Sequence, residues 1–96
     1  MKPRFILVHF DVECVRGIVE PKYRIFVNNE LFPERSWIFK DNEYLEEMLQ
    51  IEAPPGKFPI RVELVNPRAG KVTAKNFRIS KGIARITPDG VLEVPL

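Results

Sequence analysis

Between Met48 and Asn66 apolar and polar residues alternate twice, with one break between the two runs. Leu49, Ile51 and Ala53 fall on one parity against Met48, Gln50 and Glu52; after Pro54-Pro55-Gly56-Lys57, the residues Phe58, Ile60, Val62 and Leu64 alternate with Pro59, Arg61 and Glu63. A period of two marks β-strands with one apolar face. The stretch therefore predicts a β-hairpin with its turn at the Pro-Pro-Gly step. In such a hairpin Glu52 reaches Arg61 diagonally across the two strands.

The same period runs through the rest of the chain. From Arg4 to Val19 both parities are apolar, Ile6, Val8, Phe10 and Val12 on one and Phe5, Leu7 and Val15 on the other. That pattern belongs to a strand central between two layers or to one that gives its second face to a partner, and a bulge or bend between Asp11 and Gly17 lets one long run serve two sheets. Tyr23, Ile25 and Val27 alternate up to Asn28-Asn29, a pair that tolerates positive φ and reads as a tight hairpin turn into Leu31 and Phe32. Pro33 is expected to end that strand, and Arg35 to Phe39 to form another. Residues 41–50 carry two periods at once: Leu45, Met48 and Leu49 at helical spacing, Leu49, Ile51 and Ala53 at strand spacing. The expectation is a loop or short helical turn near 42–48, then strand from about Glu47. Further on, turns at 66–70 and 80–82 and at Pro88-Asp89-Gly90 separate strands, the first carrying Phe77 and Ile79 inward with Thr73 in phase. About eight short strands at roughly ten-residue spacing predict an all-β fold, an antiparallel β-sandwich of jelly-roll type forming a single domain over 1–96.

Composition agrees with that picture and narrows it. Nine prolines, most of them between apolar runs, leave little room for long helices. With 45% apolar and 29% charged residues the chain is ordinary for a globular domain. The apolar run Phe5–Phe10 is too short to span a bilayer and lacks the flanks of a secretory leader, and the single cysteine, Cys14, excludes an internal disulfide. A cytoplasmic protein is expected, or a virion protein if the source is viral. Charge is segregated along the chain: residues 41–52 hold Asp41, Glu43, Glu46, Glu47 and Glu52 and no base, whereas 64–88 hold Arg68, Lys71, Lys75, Arg78, Lys81 and Arg85 and no acid.

Candidate chemistry is sparse. His9, Asp11 and Glu13 share one face of an uninterrupted strand and could meet a divalent cation, but two-residue spacing of polar groups is equally what any half-exposed strand shows. Cys14 lies an odd number of residues from the single His, on the opposite strand face, which separates nucleophile from base. No glycine-rich phosphate loop or nucleophile elbow is present. The chain is therefore expected to be non-enzymatic, with no catalytic residue, cofactor or metal site. The basic stretch Arg68–Arg85 around Phe77 suggests single-stranded nucleic acid, yet Lys71 and Lys75 fall on one parity with Arg85 while Arg78 is on the other, so no single basic face follows.

Ile60 to Asn66 through Lys75-Asn76-Phe77-Arg78-Ile79, together with Arg24 to Glu30, resembles the strand-loop-strand core of small β-sandwich carbohydrate-binding modules. The resemblance implies the sandwich fold; separately, Trp37 and Phe39, with Tyr23 or Tyr44, offer an aromatic platform for sugar rings, against a core role for Trp37. In the calcium-dependent members acidic loop residues hold the ion; Pro67, Arg68, Lys75 and Asn76 stand here instead, so no calcium site is implied. The leading expectation is an interaction protein that associates with itself, or docks into a larger assembly such as a viral or cellular particle. Its candidate surface comprises Trp37, Phe39, Pro59, Arg61, Arg68, Lys71, Lys75 and Arg78, with Pro59 and Pro95 as edge devices. A glycan ranks second as partner and single-stranded nucleic acid third; no membrane is implied.

Overall fold

The computed structural model describes residues 4–16, 21–36, 44–66, 68 and 70–96. Within them the chain forms eight strands: β1 (Arg4–Arg16), β2 (Lys22–Val27), β3 (Glu30–Ser36), β4 (Tyr44–Ala53), β5 (Gly56–Leu64), β6 (Gly70–Lys81), β7 (Arg85–Ile86) and β8 (Val91–Val94). They make two antiparallel sheets, a small one in the order β4-β1-β6 and a large one in the order β3-β2-β5-β8-β7, compatible with the expected sandwich. No described residue lies in an α-helix. Residues 44–48, where a helical turn was an option, are strand: Tyr44, Leu45 and Glu46 pair with Glu13, Val12 and Asp11.

The core fills the space between the two inward faces. Ile6, Val8, Phe10, Val12 and Cys14 of β1 and Leu49, Ile51 and Ala53 of β4 meet Tyr23, Ile25 and Val27 of β2, Ile60 of β5, and Leu92 and Val94 of β8. All are buried, and every one sits at the alternate position its strand period demands. β1 is central and hydrogen-bonded on both sides, yet only one of its faces meets the core: Phe5 and Val15 on the other parity are each 56% exposed, so the two-sided burial expected from its apolar pattern does not occur.

Met48–Asn66 is not a hairpin. β4 lies in the small sheet and β5 in the large one, so the chain crosses from one layer to the other through Pro54 and Pro55. Two successive prolines supply no ladder donors, and the two apolar faces reach the same core only by facing each other across it. A strand pattern specifies which face turns inward but not whether the next strand lies beside it or opposite. Arg61 consequently belongs to Glu63, at 2.6 Å, and to Asn29 Oδ1, to which it donates at 2.7 Å; the diagonal contact with Glu52 does not form. Pro59 is no edge device either, because β5 is flanked by β2 and β8. Its carbonyl accepts from the Asn28 amide at 2.8 Å, so its nitrogen also points toward the place where β2 has already turned away. No donor is missed there.

The other local signals stand closer to expectation. Asn28 and Asn29 adopt φ of 50° and 67° and connect β2 to β3 by a two-residue turn. Pro33 does not end β3, which continues to Ser36 as the outer strand of its sheet, where proline is tolerated. The bulges lie not in β1 but in β6, where the register against β1 shifts by one residue between His9 and Asp11 and again between Leu7 and Val8. At the first, Asn76 has φ of 57°. This extra residue reverses the parity: Val72 and Ala74 turn inward before it, Phe77 and Ile79 after it, and Thr73 faces outward.

Phe77 then stacks on Phe10, with ring centroids 5.0 Å apart, and its far edge reaches the β7–β8 turn of the opposite sheet. Gly90 in that turn has φ of 92°, and a Cβ there would lie 2.8 Å from Phe77 Cζ. Position 90 thus excludes side chains twice, by backbone conformation and by the ring beside it. Gly90→Ala is expected to lower stability by about 1–3 kcal/mol in urea denaturation. In a Phe77→Leu background the penalty should shrink to its backbone share, and an undiminished penalty would show that the ring contact is immaterial.

Candidate functional site

The outward face of the small sheet carries the densest polar chemistry of the described residues. Strand alternation projects His9, Asp11 and Glu13 from β1, Tyr44, Glu46, Met48, Gln50 and Glu52 from β4, and Lys71, Thr73, Lys75, Arg78 and Ser80 from β6. Arg78 joins that face only because the Asn76 bulge has changed the parity. Its guanidinium reaches across β1 to Glu46 Oε2 and lies 3.4 Å from Asp11 Oδ1, while its other amino group donates to the Asn76 carbonyl at 2.7 Å. Asn76 Nδ2 donates to Asp11 Oδ2 at 2.9 Å, which leaves Asp11 buried although it points outward. Lys75 pairs with Glu13 at 2.8 Å, and that hydrogen bond holds its ammonium above the usual lysine range.

His9 lies between Ser80 and Glu46. Its Nε2 is 2.6 Å from Ser80 Oγ and its Nδ1 is 3.4 Å from Glu46 Oε1. The order of groups is that of a nucleophile, a base and an orienting acid. What surrounds them differs from an enclosed site: Ser80 is exposed, Glu46 is shared with Arg78, and the adjacent hollow is a surface dip between Phe5, Leu7, Gln50 and Lys81. The cation site considered for His9, Asp11 and Glu13 does not assemble. Arg78 and Lys75 occupy the two carboxylates, and no group of three metal-ligating side chains occurs among the described residues.

A second constellation ties the layers together at β4. Glu47 is 2% exposed, at an inward position among Leu45, Leu49 and Ile51. It accepts from the Tyr23 hydroxyl at 2.6 Å, and Arg35 Nε donates to both its oxygens at 3.0 and 2.9 Å. Tyr23 and Arg35 are register partners on β2 and β3, so both reach the same point from the opposite sheet. A buried carboxylate requires such partners. Burial first and the bond to Glu47 second raise the Tyr23 hydroxyl well above the usual tyrosine range, and Glu47 likewise holds Arg35 charged.

The structure scatters the residues singled out in the sequence. Lys71, Lys75 and Arg78 share the outward face of the small sheet, while Pro59 and Arg61 lie on the outward face of the large one, with the Arg61 guanidinium 4.5 Å above the Phe26 ring. Arg68 sits in the β5–β6 turn, its amide bonded to the Asn66 side chain at 3.0 Å. Trp37 and Phe39 lie outside the described residues. Met48, 58% exposed on β4, is missing from that selection, and Tyr44, 61% exposed on the same face, figures in it only as a platform residue; Tyr23, its alternative there, is buried in the core. The signal for them was the stretch Tyr44–Ala53, free of proline and glycine, whose strand period was obscured by a competing helical one. The described parts of the acidic and basic segments that form β4 and β6 flank one strand, and Arg78 pairs with Glu46 across β1, while Glu47 pairs with Arg35 and Arg85 with Glu93 in other elements.

The sheet edges differ sharply. β7 is two residues long, β3 contains Pro33 and a register shift, and β6 carries two bulges. These are the usual protections against unwanted strand pairing. β4 has none: its register with β1 is unbroken from Arg4↔Ala53 to Glu13↔Tyr44, and no described strand pairs with its other side.

Removing Arg35 leaves Glu47 with one neutral partner. Arg35→Ala is expected to destabilise the fold by about 2 kcal/mol, a figure kept low because Arg35 is itself 46% exposed. Chemical denaturation checks it, and a change within a few tenths would remove Glu47 as a bridge between layers. The alkaline limb of stability follows from Cys14, whose thiol is pushed by burial from 9.0 to about 11. Unfolded chains lose this proton above pH 9 while folded chains keep it, so the contribution is whole below pH 9 and lost as pH rises toward 11. Tyr23, raised in the same direction, adds to the loss from about pH 10. The urea midpoint should fall above pH 9, and less steeply in Cys14→Ala. No family model, curated protein or solved structure matches this chain.

Proposed function

We propose that this chain is a non-enzymatic interaction protein that builds into a larger protein assembly by strand addition at the edge of β4. The observation that carries the reading is the contrast among the four sheet edges of the described residues, three short or interrupted and one unbroken. An edge strand presents a row of main-chain donors and acceptors to a neighbour. β4 adds exposed Tyr44 and Met48 on its outward face, side chains that can cover a neighbouring strand. A virion or a cellular particle remains the kind of assembly proposed. Single-stranded nucleic acid ranks behind it, since Lys75 and Arg78 are already paired with carboxylates. A glycan reading depends on Trp37 and Phe39 and gains no support from the described residues.

The row Ser80–His9–Glu46 favours a second reading, acyl transfer from an activated ester to Ser80 Oγ with His9 as base. It ranks lower because catalysis of that kind needs donors placed around a developing oxyanion and exclusion of water, and an open sheet face provides little of either. The two readings separate by experiment. Light scattering on the eluting protein should show concentration-dependent association that Met48→Lys abolishes while leaving the urea midpoint unchanged at dilutions where the wild type is monomeric; a monomer at all concentrations, alone or with the source's other proteins, would refute association. Hydrolysis of p-nitrophenyl acetate should not exceed that of Ser80→Ala, and a Ser80-dependent excess would promote the second reading.

A further inference from the structure

We infer that the occupant of the β4 edge is the β4 strand of a second copy, paired antiparallel about a two-fold axis at Met48. This rests on the association reading above and makes it specific. A two-fold axis perpendicular to the small sheet keeps the core faces of both copies on the same side and joins the two sheets in the order β6-β1-β4-β4-β1-β6. Parity then requires outward residues to oppose outward ones, which limits the register to a few positions of the axis.

Charge selects among them, because like charges directly opposite one another destabilise a pair of strands. With the axis at Glu47, this buried residue opposes its own copy. With the axis at Leu49, Glu46 opposes Glu52 twice. With the axis at Gln50 no acids meet, but pairing spans only Glu47–Ala53 and leaves Tyr44 uncovered. With the axis at Met48, pairing spans Tyr44–Glu52: Tyr44 opposes Glu52, Leu45 opposes Ile51, Glu46 opposes Gln50, Glu47 opposes Leu49, and Met48 opposes Met48. That is the longest register in which no carboxylate faces another. Tyrosine and glutamine also place hydrogen-bond donors opposite the glutamates.

The acidity of β4 is the obvious objection, and the intramolecular ion pairs answer it. Arg78 reaches Glu46 from the far side of β1, and Arg35 reaches Glu47 from the opposite sheet. Both bases approach from within their own protomer, so they discharge the strand without standing between it and a partner strand. Glu52 is the remaining acid, and in this register it meets a tyrosine.

The test is cross-linking on the full chain with copper phenanthroline as oxidant. Cα atoms directly opposite in an antiparallel pair are about 4.5–5.5 Å apart, within the range a disulfide spans. Met48→Cys should therefore give a dimer on non-reducing gels, and its yield should follow the fraction dimeric by light scattering. Gln50→Cys should not, because its copies are offset by four residues, about 13 Å. A mixture of Gln50→Cys and Glu46→Cys should cross-link. Wild type supplies the background, its thiol being buried at Cys14. Cross-linking of Gln50→Cys at least equal to that of Met48→Cys would overturn the register while leaving association intact. A dimer that none of the cysteines traps would overturn the β4 self-pairing and place the contact elsewhere. A strict monomer by light scattering would overturn this inference, and the association reading falls with it only if the source's other proteins also fail to bind.

Discussion

The pairing of β1 along its length with both β4 and β6 is the constraint from which the rest of the small sheet follows. Because β1 is central, one face of it must fill the core and the other must project outward between its neighbours. Ile6 to Cys14 supply the first face, and the second brings His9, Asp11 and Glu13 against the acids of β4 and the bases of β6. The described parts of two segments of opposite charge, far apart in sequence, that form β4 and β6 thus flank one strand. The arrangement turns charge segregation into internal neutralisation, and it frees β4 from much of the repulsion that an acidic edge would meet.

That neutralisation depends on a single inserted residue. Without the extra position at Asn76, Arg78 would share its parity with Ala74 and Val72 and point into the core, while Phe77 would point outward. The bulge exchanges them, so one backbone irregularity both places an aromatic ring on Phe10 and delivers a guanidinium to Glu46. Asparagine meets this requirement because its short polar side chain tolerates positive φ, and its own amide caps Asp11. The second bulge, at Ser80, brings a hydroxyl to His9. Both lie in β6, and bulges also disfavour further pairing at that edge. Among the described residues the small sheet is consequently asymmetric, guarded by bulges along β6 and unpaired along the outer side of β4.

Glu47 makes the opposite choice from the other acids of its strand. It points inward, where only Tyr23 and Arg35 of the other sheet can satisfy it. A hydrophobic residue there would pack against either layer without preference. A carboxylate that needs a hydroxyl and a guanidinium at one point sets the alignment of the layers where β4 faces β3. The ion pair is therefore best understood as a register device, with the net stabilisation of a partly buried pair remaining modest.

Strand existence, the inward parity of most strands, the Asn28-Asn29 turn and the Pro88-Asp89-Gly90 turn were legible in the sequence, because each follows from side chains or φ preferences acting over a few neighbouring residues. The all-β class followed from them. The tertiary structure decided what those local rules leave open. Alternation at 48–66 is the same whether two strands lie side by side or face each other across a core, and only burial of both faces at once chose the arch through Pro54 and Pro55. The parity of Arg78 depended on a bulge whose trace in the sequence is an asparagine between two apolar pairs of opposite phase. The openness of β4 depended on which strands found partners, a property of the whole sheet that no segment carries alone.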